Sequence, residues 1–337
     1  MSKIINVHPT RYDAVTYQWA DAFIHIFMAA RELGFTLHLH EDFKLDTKRE
    51  IDIPWERGLS DDQEAYNLYN HLVLEDIKDK GLPTKNMLVV KPTAPAPNYF
   101  TIDTLGYAAC SSISYEKPNF EETKWKTFFN NTVKTLIDNR ENKWSATGEV
   151  KFTPVLDVPK DHVLILGQMP GDETVTKMSF GNHWIKLQQI VESLRNKFPI
   201  VLKLHPTFRA VLGNDKQWDI INNVLMKWQM QGVKIYDRSE SLHDILPHTK
   251  VAILENSTAG IECLMHKVPI ISYGLPEYHW VTKDLRHMAM LPSFVDDLSW
   301  YDEERANQWL AWYCTKYQCY NYPSTLNRMS ELLCTDN

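Results

Sequence analysis

Ile200-Val201-Leu202-Lys203-Leu204-His205-Pro206-Thr207 and, further on, Lys250-Val251-Ala252-Ile253-Leu254-Glu255-Asn256-Ser257-Thr258-Ala259-Gly260-Ile261-Glu262 decide how this chain folds. Each is an apolar run that passes directly into hydrogen-bonding residues. Short, continuously apolar runs of this kind read as strands buried on both faces, which is the pattern of a parallel sheet in an α/β protein. The second loop leads into a helix, so the spacing predicts free backbone N–H groups and the positive end of a helix dipole at its start. Such sheets bind ligands outside the carboxyl ends of their strands.

The residue types collected there suit a phosphate. Asn256, Ser257 and Thr258 offer side-chain donors, Gly260 allows close backbone approach, and Lys203 and His205 are expected from a neighbouring strand. Glu262 lies one turn into the helix, facing the same pocket, and a carboxylate there suits ribose hydroxyls. An ordinary helix N-cap is the competing reading of Asn256 to Thr258.

The ordered motifs Gly167-Gln168-Met169-Pro170-Gly171-Asp172, Lys203-Leu204-His205-Pro206, Asn256-Ser257-Thr258-Ala259-Gly260-Ile261-Glu262 and Val268-Pro269-Ile270-Ile271-Ser272-Tyr273-Gly274 resemble those of capsule-polysaccharide-biosynthesis glycosyltransferases. These are the Kdo-transferase-like proteins of GT-B fold. The resemblance spans roughly residues 160–280. It implies two Rossmann-like doubly wound domains facing a cleft, with a nucleotide sugar, UDP- or CMP-linked, held by the second. It places the His-Pro pair and the Asn-Ser-Thr loop near the phosphates and Glu262 near the ribose. Gln168 and Asp172 would bond the donor, and Ser241, in the loop after the strand at Val233–Tyr236, would touch the base.

Composition sets the outer bounds. The 337 residues fit two domains, and a hydrophobic content of 44% is enough for two cores. No run approaches the roughly 18 apolar residues that span a bilayer, and Met1-Ser2-Lys3-Ile4 leads straight into a strand, so a cytoplasmic protein is expected. Five cysteines without a CxxC argue against a disulfide framework and a structural zinc site. The net charge is −7, most of it in residues 1–150, a poor match for a polyanionic partner such as DNA.

Residues 1–150 open with a βαβ pattern. A strand at Lys3–Val7 ends in His8-Pro9-Thr10-Arg11, a helix carries Trp19, Phe23, Ile26, Ala30 and Leu33, and Phe35–Leu39 resumes as a strand. His8 and Arg11 therefore sit at a strand tip and are candidates for the acceptor side, or a surface turn. A helix is expected from about Gln63 through Ile77. Asp103, at the end of a strand beside the proline-rich loop 92–97, is the candidate catalytic carboxylate, with a turn-forming cap as the alternative. The spacing of aromatic residues predicts a helix over 121–137. The stretch 139–153 is read as a linker, giving domains over 1–150 and 151–300, with helices in 301–337 packing back on the first.

The chemistry expected is glycosyl transfer without a cofactor or a bound metal. The leaving phosphate would be stabilised by His205, Lys203 and the Asn256 to Thr258 loop, with His205 and Asp103 as the catalytic pair. A glycan or lipid acceptor is expected. A hydroxymethylated DNA base is an alternative acceptor, and a nucleotide-sugar 2-epimerase of the same fold is an alternative activity.

Overall fold

The computed structural model describes residues 3–9, 17–46, 53–143, 156–179, 181–208, 218–237 and 240–334. The chain divides into two compact units, Met1–Pro118 with Ala311–Asn337, and Asn119–Leu310.

In the first unit the strands are β1 (Ile4–Val7), β2 (Thr36–Leu39), β3 (Glu56–Arg57), β4 (Tyr66–Asn70), β5 (Met87–Pro92) and β6 (Phe100–Asp103). They lie in the order β3-β2-β1-β4-β5-β6. β1 through β5 run parallel, whereas β6 pairs antiparallel to β5. The helix Tyr17–Glu32 covers one face, burying Phe23, Ile26, Phe27 and Ala30 against Ile5, Val7, Leu37, Leu39 and Leu68.

The helix expected from Gln63 is instead a strand followed by a short helix. Tyr66–Asn70 is β4, and only Leu74–Asp79 is helical. Asn67 to Asn70 are buried on both faces between β1 and β5, so no period-two alternation is left in the sequence to mark a strand.

The C-terminal segment completes this sheet. The strand Gln318–Cys319 pairs antiparallel with β6, and the helix Tyr322–Leu333 adds Met329 and Leu333 to the same core.

Asp103 is the point that ties these pieces together. Its Oδ1 accepts from the backbone N–H groups of Leu105 (2.7 Å), Gly106 (3.0 Å) and Ser112 (3.0 Å). Its Oδ2 accepts from the Ser112 hydroxyl at 2.5 Å and the Tyr317 hydroxyl at 2.7 Å. The residue is 0% exposed. The carboxylate expected to act as a base is therefore occupied in holding the 104–112 loop and the C-terminal segment.

The division of the chain falls at Pro118, whereas the sequence reading puts it at 150. The helical stretch 125–138 goes with the second unit, with a π turn at Phe129–Val133. The Lys267 ammonium lies 5.7 Å from the Trp125 ring and 6.0 Å from the Phe129 ring, so the aromatic stripe packs there.

The second unit is a six-stranded parallel sheet of β7 (His162–Leu166), β8 (Ile200–Lys203), β9 (Lys234–Tyr236), β10 (Thr249–Leu254), β11 (Ile270–Ser272) and β12 (Lys283–Asp284). Their order is β12-β11-β10-β7-β8-β9, so the winding reverses between β7 and β10. Every residue of β7 and β8 is buried, as the apolar runs predict. Helices His183–Leu194 and Trp218–Met230 close one face with Leu187, Ile190, Val191, Ile221, Leu225 and Trp228. No helix among the described residues is long and apolar enough to cross a membrane.

Replacing Asp103 by Ala should cost about 3 kcal/mol or more, because several buried donors lose their acceptor at once. Tyr317→Phe, which removes one bond, should cost about 1 kcal/mol. Urea denaturation of the two variants checks this, and a fully stable Asp103→Ala protein would contradict the structural role.

Candidate functional site

The tips of β7, β8 and β10 surround a cavity in the second unit. It encloses about 100 Å³, or about 680 Å³ with the open mouth counted, and its lining includes Lys143, Gly167, Lys203, His205, Ser241, Ser257, Thr258 and Glu262. It lies at the carboxyl end of the sheet where the winding reverses, the position at which open α/β sheets bind ligands.

Lys203 and His205 come from β8 and Ser257 to Glu262 from the loop after β10. These strands are not neighbours as expected, because β7 runs between them. Both tips nonetheless line one cavity together with Gly167 at the tip of β7, where a glycine is required by close packing against Leu204. A Cβ at Gly167 would come within 2.7 Å of Leu204.

The loop after β10 divides into residues that hold the fold and residues that face the cavity. Asn256 is of the first kind. Its amide donates to Thr174 O (2.7 Å) and Met178 O (3.1 Å), and its Oδ1 accepts from Leu275 N at 2.7 Å. Gln168 accepts from Asn256 N at 2.7 Å and so belongs to the same clamp. Asp172 caps the helix Glu173–Thr176, accepting from Thr174 N at 2.8 Å. The side chains of Asn256 and Gln168 are thus engaged by neighbouring loops, whereas Asp172 caps its own helix and its charge acts on Lys143 and His205. Gly274 leaves room for this clamp, since a Cβ there would lie 2.4 Å from Asn256 Oδ1.

Glu255 anchors the same loop from below. It is 0% exposed, accepts from His183 Nδ1 at 2.5 Å, and is bonded by Ser179 Oγ and Lys186 Nζ. Burial by itself would push its carboxyl up, but these three partners together hold it below its ordinary value.

The helix start contributes less than the sequence suggests. The helix Gly260–Met265 is six residues long, and the N–H groups of Gly260 and Ile261 bond back to Ser257 O (3.1 Å) and Thr258 O (3.0 Å). Gly260 serves packing rather than ligand approach, because a Cβ would meet the Tyr278 ring at 2.2 Å. Tyr278 in turn donates its hydroxyl to Ser257 O. Ser257 Oγ accepts from Ala259 N at 3.2 Å.

What faces the cavity is a set of charged side chains. Lys203 is buried, donating to Leu204 O at 3.1 Å and lying 3.5 Å from Glu240. Burial lowers its pKa, with Glu240 and Asp237 opposing. Lys143 donates to Thr258 Oγ1 at 2.8 Å, and burial lowers its pKa too, against the pull of Glu262 and Asp172. His205 Nδ1 accepts from Thr207 N at 3.3 Å and lies 2.8 Å from Thr207 Oγ1, which leaves the ring hydrogen on Nε2. Burial, joined by Lys143, lowers His205 to about 4, so its ring is neutral at physiological pH. Ser241 is buried at the rim as the N-cap of Leu242–Ile245, accepting from His243 N at 3.2 Å.

Lys143 is the residue the sequence reading missed, falling in the stretch read as a linker. Three contacts place it. Arg140 Nε bonds Asp244 Oδ1 at 2.8 Å, His243 Nε2 donates to Glu141 O at 2.8 Å, and Glu141 N bonds Leu136 O at 2.8 Å at the helix end. A lone lysine without periodicity carries no signal, and only the fold shows what it approaches.

Of the remaining expected residues, His8 lies at the tip of β1 in the first unit, 2% exposed, and Arg11 lies outside the described residues.

Comparison with known proteins bears out the resemblance and extends it. The family described as "Capsule polysaccharide biosynthesis protein" matches residues 123–289. That stretch includes Lys143 as well as the β7, β8 and β10 tips. No curated protein matches the chain by sequence. Among solved structures, the Thermosulfurimonas dismutans KpsC β-Kdo 2,7 transferase is 14% identical, with a TM-score of 0.50 over 97% of this chain and 99% of that one. The β-Kdo 2,4 transferase of the same protein is 15% identical, with a TM-score of 0.49 over 97% of each chain. Anabaena Alr3699/HepE, solved with UDP, is 8% identical, with a TM-score of 0.42 over 99% of this chain and 100% of that one. The fold is that of the GT-B glycosyltransferases, built from two Rossmann-like units.

Glu262 gives the site a measurable pH signature. Burial raises its carboxyl to about 7, and Lys143 only partly offsets this. Its folded pKa lies above its unfolded value, so its contribution is present below about pH 4.5 and is lost as pH rises toward 7. Glu262→Gln should therefore be more stable than the parent at pH 8 by an amount on the order of 3 kcal/mol, with the gain vanishing near pH 4. Paired denaturation curves across this range measure it, and a pH-independent difference would contradict the assignment.

Proposed function

Because residues 123–289 match the capsule polysaccharide biosynthesis family on a GT-B fold, we propose that this protein is a glycosyltransferase that uses a nucleotide-activated sugar, bound in the cavity of the second unit. One observation supports this reading above the others: two lysines, Lys143 and Lys203, line one cavity beside a neutral histidine. Cationic side chains gathered in one cavity raise the local concentration of an anionic ligand. A nucleotide phosphate is such an anion.

In this mechanism the leaving group is a nucleotide phosphate on which negative charge grows as the glycosidic bond breaks. Lys143 and Lys203 oppose that charge electrostatically, and the His205 Nε2–H and the Thr258 hydroxyl provide hydrogen bonds. The low pKa of His205 makes it a donor of a hydrogen bond rather than a proton reservoir at physiological pH. Glu262, whose Oε2 is buried and has no hydrogen-bond partner among the described residues, accepts from a ribose hydroxyl. The acceptor we propose is a glycan or a lipid-linked glycan. The net charge of −7 disfavours DNA.

A thermal-shift panel of UDP, CMP, GDP and dTDP species tests the donor. The matching nucleotide should raise the melting temperature by mass action. Lys143→Ala and His205→Ala should each weaken binding by tenfold or more, a loss of about 1.5–3 kcal/mol for a hydrogen bond to a charged group, with the unliganded melting temperature unchanged or raised. Equal nucleotide stabilisation in parent and both variants would overturn the site. Incubation of the matching nucleotide sugar without acceptor separates transfer from epimerisation, because an epimerase would release a free epimeric nucleotide sugar.

A further inference from the structure

The residues His205-Pro206-Thr207-Phe208, just past β8, turn back on themselves. His205 O accepts from Phe208 N at 2.9 Å, which closes a β-turn with Pro206 at its second position, where the fixed φ of proline is favoured. Phe208 anchors the far side of the turn. It is 0% exposed, and its ring centroid lies 5.6 Å from that of Trp184 and 6.2 Å from that of Trp218. The turn sets Thr207 against the imidazole two residues before it.

Thr207 reaches that ring through two groups. Its backbone N–H lies 3.3 Å from His205 Nδ1 and its Oγ1 lies 2.8 Å from the same atom. A backbone N–H can only donate, so Nδ1 must be bare, and the hydroxyl donates to it as well. A proton on Nδ1 would meet an N–H that cannot turn away. The other neutral tautomer and the imidazolium are both disfavoured by this one contact. The charges acting on the ring are Lys143 and Lys203, which oppose a further proton, and Asp172, which favours one. Among the described residues His205 lines the cavity and Thr207 does not, so any effect of Thr207 on a ligand passes through His205.

The tautomer matters because an ionised phosphate oxygen only accepts. An Nε2 that carries the hydrogen donates to it, whereas a bare Nε2 would repel it. A threonine suits the task, since branching at Cβ leaves its hydroxyl few positions. We propose that Thr207 is a positioning residue, whose hydroxyl and backbone N–H fix the His205 ring in the Nε2–H form that a nucleotide phosphate in the cavity requires. That the bound group is a phosphate rests on the transferase reading, whereas the fixing of the ring rests on the two bonds to Nδ1.

The test uses the full chain with Thr207→Val, which deletes the hydroxyl at nearly constant volume, and Thr207→Ser, which keeps it. Whichever of UDP, CMP, GDP and dTDP stabilises the parent is titrated into each by calorimetry. Thr207→Val should bind it roughly fivefold more weakly, the effect of one neutral hydrogen bond, and Thr207→Ser should stay within about twofold of the parent. Nitrogen NMR of the histidine rings reads the tautomer without any ligand, the His205 signals being those lost in His205→Gln. In the parent and in Thr207→Ser the two nitrogen signals should be widely separated, as a fixed Nε2–H form requires, and in Thr207→Val they should draw together. A merely structural role would lower the melting temperature of Thr207→Val and leave its nucleotide affinity equal to that of the parent. That equality, or ring signals unchanged between parent and Thr207→Val, would overturn the proposal. If no nucleotide binds the parent, the transferase reading falls and the ring signals alone decide the role of Thr207.

Discussion

Parallel strands can be joined only by crossovers that return the chain to the same end of the sheet, so all the loops leaving β7 to β12 collect along one edge. The crossovers from β7 to β8 and β9 go one way and those from β10 onward go the other. The loops after β7 and β10 therefore diverge, and the space between them cannot be filled by either crossover. Everything else about the candidate site follows from that unfilled space. Gly167 at the middle tip lets β7 pack closely against Leu204, and the segment around Lys143 is bonded down over the rim by Arg140, Glu141 and His243.

Holding charged groups in such a space carries a cost that the surrounding polar network offsets. Lys203 is buried and lies 3.5 Å from Glu240, and the half-buried Lys143 donates to Thr258 at 2.8 Å. The loops around them must then be rigid, since a mobile loop would let water in and remove the reason for the site. Rigidity comes from Glu255, bonded to His183, Lys186 and Ser179, and from Asn256, whose side chain bridges the 174–178 segment and Leu275. Residues that look like ligand groups in the sequence act here as the supports that place others.

The two units use polar groups at their strand ends differently. The second unit concentrates charge at its winding reversal, with lysines and a glutamate whose pKa values are displaced by burial. In the first unit the carboxylate at a strand end, Asp103, is used to fasten the C-terminal segment to the sheet.

The amino-acid order alone determined the class of fold and where along the chain function collects. Fully apolar runs such as Val163–Leu166 and Ile200–Leu202 can be buried only between neighbours on both faces, and the polar clusters that end them must lie at strand tips. It also identified Lys203, His205, Thr258 and Glu262 as cavity residues, because their motifs keep a fixed distance from those strands. The tertiary structure decided which of the polar residues are available. Asn256, Gln168 and Asp103 read as ligand groups, but their partners, Thr174, Leu275, Ser112 and Tyr317, are up to 214 residues away and could not be paired from spacing. β4 lost its strand pattern because it is enclosed on both faces, and Lys143 gained its place only through bonds to residues about a hundred positions distant. Local sequence fixes backbone conformation through short-range sterics and apolar period, whereas the availability of a polar side chain depends on which distant groups the packed chain brings to it.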